Sequence, residues 1–207
     1  MKKNVAILAS GSGSNAENII RYFRDNEGSR DSRDSRDICF RMIVSNRESA
    51  YVHERSKKLK IPSYTFKKND FEDGKVLEFL QEHQIDFIIL AGFLLKVPEN
   101  LLQAYPDKIV NIHPALLPKF GGKGMYGQYV HEAVVAAGEK ESGITIHYVN
   151  ENYDEGQIIF QAKCEIQPTD TPDDVAAKVH DLEYEFFPKV LEEVLVGASK
   201  NQGLRLR

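Results

Sequence analysis

The sequence predicts an α/β protein with a mostly parallel central sheet flanked by helices, an antiparallel strand pair near the C-terminus and a long closing helix. Up to residue 113, short apolar runs alternate with segments whose apolar residues recur at helical spacing, which is typical of Rossmann-like folds. Two further strand-like runs then follow each other, as in an antiparallel hairpin. No linker or long repeat interrupts the pattern, so we expect one domain over residues 1–207.

The predicted strands are short apolar runs, and they cover residues 4–10, 38–46, 61–66, 86–93, 109–113, 143–150 and 157–166. The run DFIILAGF at 86–93 contains almost no polar residue. Strands that are buried on both faces have this composition, and they are typical of parallel sheets.

The predicted helices cover residues 16–26, 50–60, 70–84 and 171–197, and residues 97–108 are predicted to form a short helix with a connection. The last has the clearest start, because Thr171 is a suitable N-cap and Pro172 is favoured in the first turn. Asp173 and Asp174 suit the positive end of the helix dipole. The Ser-Arg-Asp triplets at 29–37 are low in complexity, and we expect a surface loop without an assigned function.

Composition excludes several classes of function. The formal charge of −4 gives no reason to expect a nucleic-acid partner. Cys39 and Cys164 lie far apart in the sequence, so we expect two buried, reduced thiols and no metal site or disulfide framework. The apolar start is too short for a signal peptide, and no run approaches the ~20 apolar residues that span a bilayer. We therefore expect a cytoplasmic protein without membrane contact. The sequence does not decide between a monomer and a homodimer.

A glycine turn follows the first strand in the stretch ASGSGSN, residues 9–15. Glycines let backbone N–H groups approach an anion, and the following helix N-terminus favours negative charge, so the stretch suits a phosphate. It is a poor dinucleotide fingerprint, because no third glycine stands in register. A tight turn that binds nothing is an equally good interpretation of this stretch alone.

The strand at 109–113 ends with Asn111 and His113, just before Pro114. Residues two apart on a strand share a face, so both side chains point the same way at the sheet's carboxyl edge, where open α/β sheets bind ligands. A lone buried histidine is usually structural, but two polar groups beside a rigid turn favour a site. Asp154, in the turn between the last two strands, becomes relevant if it reaches His113, because a nearby carboxylate would raise the histidine pKa.

Other histidines carry weaker signals. His147 lies either near the same edge or on the outer sheet face, and His180 stands one helical turn before Glu183, where both could reach a polar ligand. His131 stands in surroundings that suggest no role. No nucleophile elbow or Cys–His pair is present in the sequence, which argues against a covalent intermediate.

Four stretches together resemble the folate-dependent formyltransferases over essentially the full length. They are SGSGSN, LAGFLLKVP at 90–98, NIHPALLPKF at 111–120 and GITIHYVNENYDEGQIIFQAKCEI at 143–166. Within that family, the first stretch and the total length are similar to the branch that formylates glycinamide ribonucleotide. The resemblance implies that 10-formyltetrahydrofolate is a co-substrate and that no cofactor stays bound.

The resemblance also implies the site residues. These are Asn111, His113 and Asp154 for catalysis, Gly13, Ser14, Asn15 and Glu183 for the ribonucleotide, Leu94, Leu95, Lys96 and Val97 for the folate, and His147 in support. An imidazolium His113, kept charged by Asp154, is expected to stabilise an oxyanion with Asn111. A basic residue for the folate tail could be Lys67 or Lys68, and no residue of 121–134 is assigned. Hydrolysis of formyltetrahydrofolate and non-catalytic binding of phosphorylated metabolites remain as alternatives.

Overall fold

The computed structural model describes residues 2–25 and 37–197, so nearly all of the Ser-Arg-Asp triplets lie outside the described residues. The strands of the described part are β1 (Lys3–Leu8), β2 (Ile38–Ser45), β3 (Ser63–Thr65), β4 (Phe87–Leu90), β5 (Ile109–His113), β6 (Glu141–Tyr148) and β7 (Ile158–Glu165). The helices are α1 (Ser14–Asp25), α2 (Val52–Leu59), α3 (Lys68–Glu72), α4 (Lys75–Glu82), α5 (Glu99–Ala104), α6 (Gln128–Ala136) and α7 (Pro172–Val196).

The strands form one sheet in the order β3-β2-β1-β4-β5-β6-β7. β1 to β5 run parallel, whereas β6 is antiparallel to both β5 and β7. With the helices around it and α7 closing the chain, this arrangement confirms the predicted fold class.

The strand order reverses between β1 and β4. After β1 the chain moves outward to β2, and after β4 it moves in the opposite direction to β5. The two loops that leave the carboxyl ends of β1 and β4 therefore diverge and leave a crevice between them. Ligands of open α/β sheets bind at such a point.

Alternate side chains of the strands enter two separate cores. In β1, Val5 and Ile7 pack on one face of the sheet with residues of α1, α6 and α7. Ala6 and Leu8 pack on the other face with residues of α3, α4 and α5. The central strands are thus covered on both sides, which explains why their sequences are almost wholly apolar.

Two helix predictions need correction. The segment 70–84 is not one helix, because Gly74 has a φ of +88° and separates α3 from α4. α6 was not predicted at all, since it follows a glycine-rich stretch. The start of α7 is as expected: the Asp174 N–H donates to the Thr171 hydroxyl, and the Asp174 carboxylate accepts from the Thr171 N–H. None of the described helices is long and apolar enough to cross a membrane.

Candidate active site

A cleft of about 750 Å³ opens at the carboxyl ends of β1, β4 and β5. Residues from all of the sequence motifs line it. The predicted site residues among them are Gly13, Ser14, Asn15, Leu94, Leu95, Lys96, Val97, Asn111, His113, His147, Asp154 and Glu183. The fold thus brings together side chains from the first, middle and last thirds of the chain. Lys67 and Lys68 do not line the cleft; both are exposed at the start of α3.

Asn111 and His147 face each other across β5 and β6, where they are register partners. The Asn111 side-chain nitrogen donates to Nε2 of His147 at 3.1 Å. Nδ1 of His147 is 2.8 Å from the Tyr148 carbonyl and must carry a proton there, because a carbonyl only accepts. His147 is 2% exposed, so it belongs to the site floor and not to an outer sheet face.

His113 is 3% exposed at the end of β5. Its Nε2 donates to the Phe120 carbonyl at 2.7 Å, and its Nδ1 lies 3.6 Å from Oδ2 of Asp154. Burial lowers the pKa of His113, and the Asp154 carboxylate opposes this without reversing it. The pKa of His113 in the free protein is therefore shifted opposite to the expected direction, although Asp154 itself acts in the expected direction.

Asp154 lies between two histidine rings. Its Oδ1 is 3.6 Å from Nε2 of His147, and its Oδ2 accepts a hydrogen bond from the Gly122 N–H at 2.9 Å. Burial alone raises the pKa of Asp154, but the contacts with His147, His113 and Gly122 together outweigh burial and hold the pKa below its ordinary value. Asp154 is therefore a carboxylate at neutral pH.

The glycine turn joins β1 to α1. Gly13 has a φ of +73°, and a Cβ added there would lie 2.3 Å from Cγ2 of Val52, so this position needs glycine. The Arg55 guanidinium supports the turn from α2, because its Nε donates to the Ser12 carbonyl at 2.8 Å while the same group pairs with Glu17. The turn thus has a fixed shape at the N-terminus of α1, as a phosphate site requires.

Glu183 on α7 meets the turn from the opposite wall of the cleft. Its Oε2 accepts from the Asn15 side-chain nitrogen at 2.9 Å and from Nδ1 of His180 at 3.0 Å. The bond to Glu183 raises the pKa of His180. A carboxylate held in this way can accept hydrogen bonds from ligand hydroxyl groups.

The loop after β4 is fixed to the end of β1 by Ser10. The Ser10 hydroxyl accepts from the Leu94 N–H at 2.9 Å and donates to the Asn46 side chain at 2.6 Å, and the Ser10 N–H donates to the Gly92 carbonyl. Val97 is buried in this loop, while Leu94 is 37% exposed to the cleft mouth. The loop therefore presents apolar side chains and backbone groups on a rigid support.

Lys96 is exposed in the same loop, and its Nζ lies 5.7 Å from the centre of the Tyr153 ring. The lysine thus connects the loop after β4 with the segment that holds Asp154. This cation–π contact is a structural feature that the sequence did not indicate.

One wall of the cleft was not predicted from the sequence. His131 on α6 lines the cleft at 6% exposure, although the sequence suggested no role for it. The spacing of His131 and Val134 could have indicated its burial, because residues three apart share one side of a helix and both lie on the buried side of α6. Among residues 2–25 and 37–197, no group of three or more His, Cys, Asp or Glu side chains could hold a metal ion.

Comparison with known proteins gives a consistent match. The family model described as Formyl transferase matches residues 3–191. A phosphoribosylglycinamide formyltransferase of Bacillus subtilis is 36% identical over 198 residues, which are 93% of this chain and 95% of that protein. The chloroplastic enzyme of the same name from Arabidopsis thaliana is 38% identical over 196 residues, and the match covers 92% of this chain but 64% of that protein.

Solved structures agree with the sequence matches. A phosphoribosylglycinamide formyltransferase from Bacillus halodurans has a TM-score of 0.81 and 35% identity, with 99% of this chain and 100% of that chain covered. One from Streptococcus pneumoniae has a TM-score of 0.78 and 37% identity, with 94% and 99% covered.

Proposed function

Because the chain belongs to the formyl transferase family, we propose that it transfers the formyl group of 10-formyltetrahydrofolate to the primary amine of N1-(5-phosphoribosyl)glycinamide in purine (IMP) biosynthesis. The names of the relatives support this activity. The observation that carries the proposal is a single cleft in which a glycine turn, an apolar loop and the group Asn111, His113 and Asp154 meet. We further propose that the chain acts as a single domain, and its cytoplasmic location stays a prediction.

In this proposal the ribonucleotide lies along the wall formed by α1 and α7. Its phosphate binds the backbone N–H groups at Gly13, Ser14 and Asn15, because this turn is rigid and lies at a helix N-terminus. Its ribose hydroxyls donate to Glu183, whose carboxylate is held by two neighbouring side chains. The substrate amine then extends toward the end of β5.

The formyl folate lies against the loop after β4. Leu94, Leu95 and Val97 offer apolar contact, and the backbone of the loop offers hydrogen bonds to the pterin edge. The Ser10 contacts keep this loop in place against the end of β1. The co-substrate enters and leaves in each turnover, so it is not a resident cofactor.

The reaction is a direct acyl transfer. The neutral amine attacks the formyl carbon, a new C–N bond forms, and negative charge develops on the formyl oxygen. The bond from the formyl carbon to N10 of the folate then breaks, and a proton passes from the attacking nitrogen to N10. Holding both substrates in one cleft supplies a large part of the rate.

Asn111 is suited to stabilise the charged oxygen. One hydrogen of its side-chain nitrogen is used by His147, which leaves the second free to donate into the cleft. A preorganised donor of this kind contributes roughly 3 kcal/mol to the transition state. The bond to His147 fixes the amide in the donating orientation before substrate arrives.

His113 and Asp154 act together on protons. A histidine whose pKa is lowered by burial is a strong donor once it is protonated, and Asp154 stabilises that charged form. Asp154 also remains ionised, so it can accept the proton of the attacking amine directly or through water. A substrate oxygen at Nε2 of His113 would compete with the Phe120 carbonyl for the hydrogen bond that this nitrogen donates.

The test is a spectrophotometric assay with both substrates. Transfer predicts that the absorbance change of formyl folate depends on the ribonucleotide and that formylated ribonucleotide accumulates. Release of formate without the ribonucleotide would show a hydrolase instead. Binding of the ribonucleotide without any consumption of formyl folate would contradict both enzymatic functions and leave a binding module.

A further inference from the structure

His131 is a buried histidine that the mechanism above does not use. It lies on α6, lines the cleft and is 6% exposed. Its Nδ1 is buried without a hydrogen-bond partner, and no hydrogen bond from another described residue reaches its ring. Buried polar side chains almost always have a partner in a folded protein, so an unpaired ring at a cleft wall indicates a missing ligand group.

The surroundings of His131 locate that ligand group. Burial lowers the pKa of His131, the Glu183 carboxylate raises it, and His113 lowers it. The ring lines the same cleft as the carboxylate proposed to bind the ribose and the histidine beside the proposed reaction centre, and it interacts electrostatically with both. In the ribonucleotide, the group that joins the ribose to the attacking amine is the glycinamide amide.

We propose that His131 is a substrate-binding residue whose ring nitrogen hydrogen-bonds to the amide of the ribonucleotide. A neutral imidazole has one N–H and one lone pair, and an amide offers the complementary carbonyl and N–H. This contact distinguishes a ribosylamide from a simple ribose phosphate and directs the amine toward Asn111 and His113. The inference rests on the proposed function, because it names how the same cleft recognises its acceptor.

The first test is kinetic. His131→Phe keeps a planar ring but removes both nitrogens, and we expect the KM for the ribonucleotide to rise about fivefold to tenfold, as for one lost hydrogen bond. The KM for formyl folate should not change. Val134→Ala is the matched control, because Val134 is buried on the same helix but does not line the cleft, and it should change neither KM.

A second measurement separates amide recognition from a structural role. Ribose 5-phosphate keeps the phosphate and hydroxyl groups but lacks the amide, so His131→Phe should bind it as tightly as the wild type does. An equal loss of affinity for both ligands would overturn the proposal, as would an unchanged KM for the ribonucleotide in a folded variant.

The third measurement needs no variant and covers the case in which His131→Phe does not fold. In wild-type protein with ¹⁵N-labelled histidine, the ribonucleotide should shift the ring nitrogen signals of His131, whereas ribose 5-phosphate should not. Absence of that difference rejects the amide contact. If the wild type transfers no formyl group, the proposed function fails; if it is active and these results are negative, only the role of His131 fails.

Discussion

The side chain of Asn111 donates a hydrogen bond to Nε2 of His147 across two antiparallel strands, at a distance of 3.1 Å. His147 can accept it only because its other nitrogen donates to the Tyr148 carbonyl. The buried His147 therefore fixes which face of the Asn111 amide meets the cleft, before any substrate is bound. Such preorganisation is the main way in which a site stabilises developing charge.

The first prediction concerns this support. His147→Phe keeps an aromatic ring of similar shape but removes the acceptor, so the Asn111 amide loses its fixed orientation. We expect kcat to fall about tenfold with little change in either KM, a smaller loss than the 100-fold to 1000-fold fall of Asn111→Ala. Steady-state kinetics with both substrates measures these effects.

The matched control for this prediction is His83→Phe. His83 lies at the end of α4, where its Nδ1 contacts the Phe79 carbonyl, and it does not line the cleft. Its replacement should leave kcat unchanged. A His147→Phe variant with wild-type kcat would show that Asn111 is oriented without this histidine.

The second prediction concerns Asp154. Asp154→Asn keeps the size of the side chain and the acceptor for the Gly122 N–H but removes the negative charge between the two histidines. We expect kcat to fall by at least about 100-fold, because proton transfer loses its acceptor and charged His113 loses its partner. Without the carboxylate that raises it, the pKa of His113 should fall further, so the pH profile of kcat should shift to lower pH.

Asp73→Asn is the control, since Asp73 is an exposed carboxylate that pairs with Lys75 outside the cleft. It should match the wild type at every pH. An Asp154→Asn variant with an unaltered pH profile would remove Asp154 from proton transfer.

The fold and much of the site could be predicted from short-range patterns. The two-residue spacing of Asn111 and His113, together with a strand that ends at a proline, was enough to place both at the carboxyl edge of the sheet. The cross-strand bond to His147 depends on the register of β5 and β6 and could not be derived from spacing alone.

Other features depend on the folded environment. The charge state of His113 was predicted from one neighbour, Asp154, but burial by many residues has the larger effect on its pKa. α6 was missed because the preceding glycines suggested a loop, and His131 was missed with it. The break at Gly74 was missed because its neighbours keep a helical pattern on both sides.

The third prediction concerns the glycine turn. Gly13→Ala would force a Cβ to within 2.3 Å of Val52 and place alanine at a φ of +73°. We expect the free energy of unfolding to fall by about 2 kcal/mol, from steric overlap and backbone strain together. The KM for the ribonucleotide should rise as well, because the backbone N–H groups of the turn shift.

Gly11→Ala is the comparison, since a Cβ at Gly11 meets nothing within 4 Å and its φ is not in the left-handed region. Its unfolding free energy should stay close to that of the wild type. Urea denaturation measures the free energy of unfolding of both variants. Equal values for the two would contradict the steric argument.

The fourth prediction concerns acid stability. The pKa of His113 and that of His131 are lowered in the folded protein. Below about pH 6.5 the unfolded chain therefore binds more protons at these two histidines than the native state does. The pKa of Asp154 is lowered too, but its stabilising contribution is lost only at much lower pH, as pH falls through its folded value. The free energy of unfolding should therefore decrease between pH 7.5 and 5.5.

His113→Asn should reduce the slope of the unfolding free energy against pH, because it removes one of the two histidines whose pKa is lowered by folding. His180→Asn should make the slope steeper, since the raised pKa of His180 means that its contact with Glu183 stabilises the fold fully below pH 6.5 and is lost as pH rises. Urea unfolding at three pH values measures both slopes. Equal slopes in the two variants would mean that neither histidine has a pKa shifted by its folded surroundings.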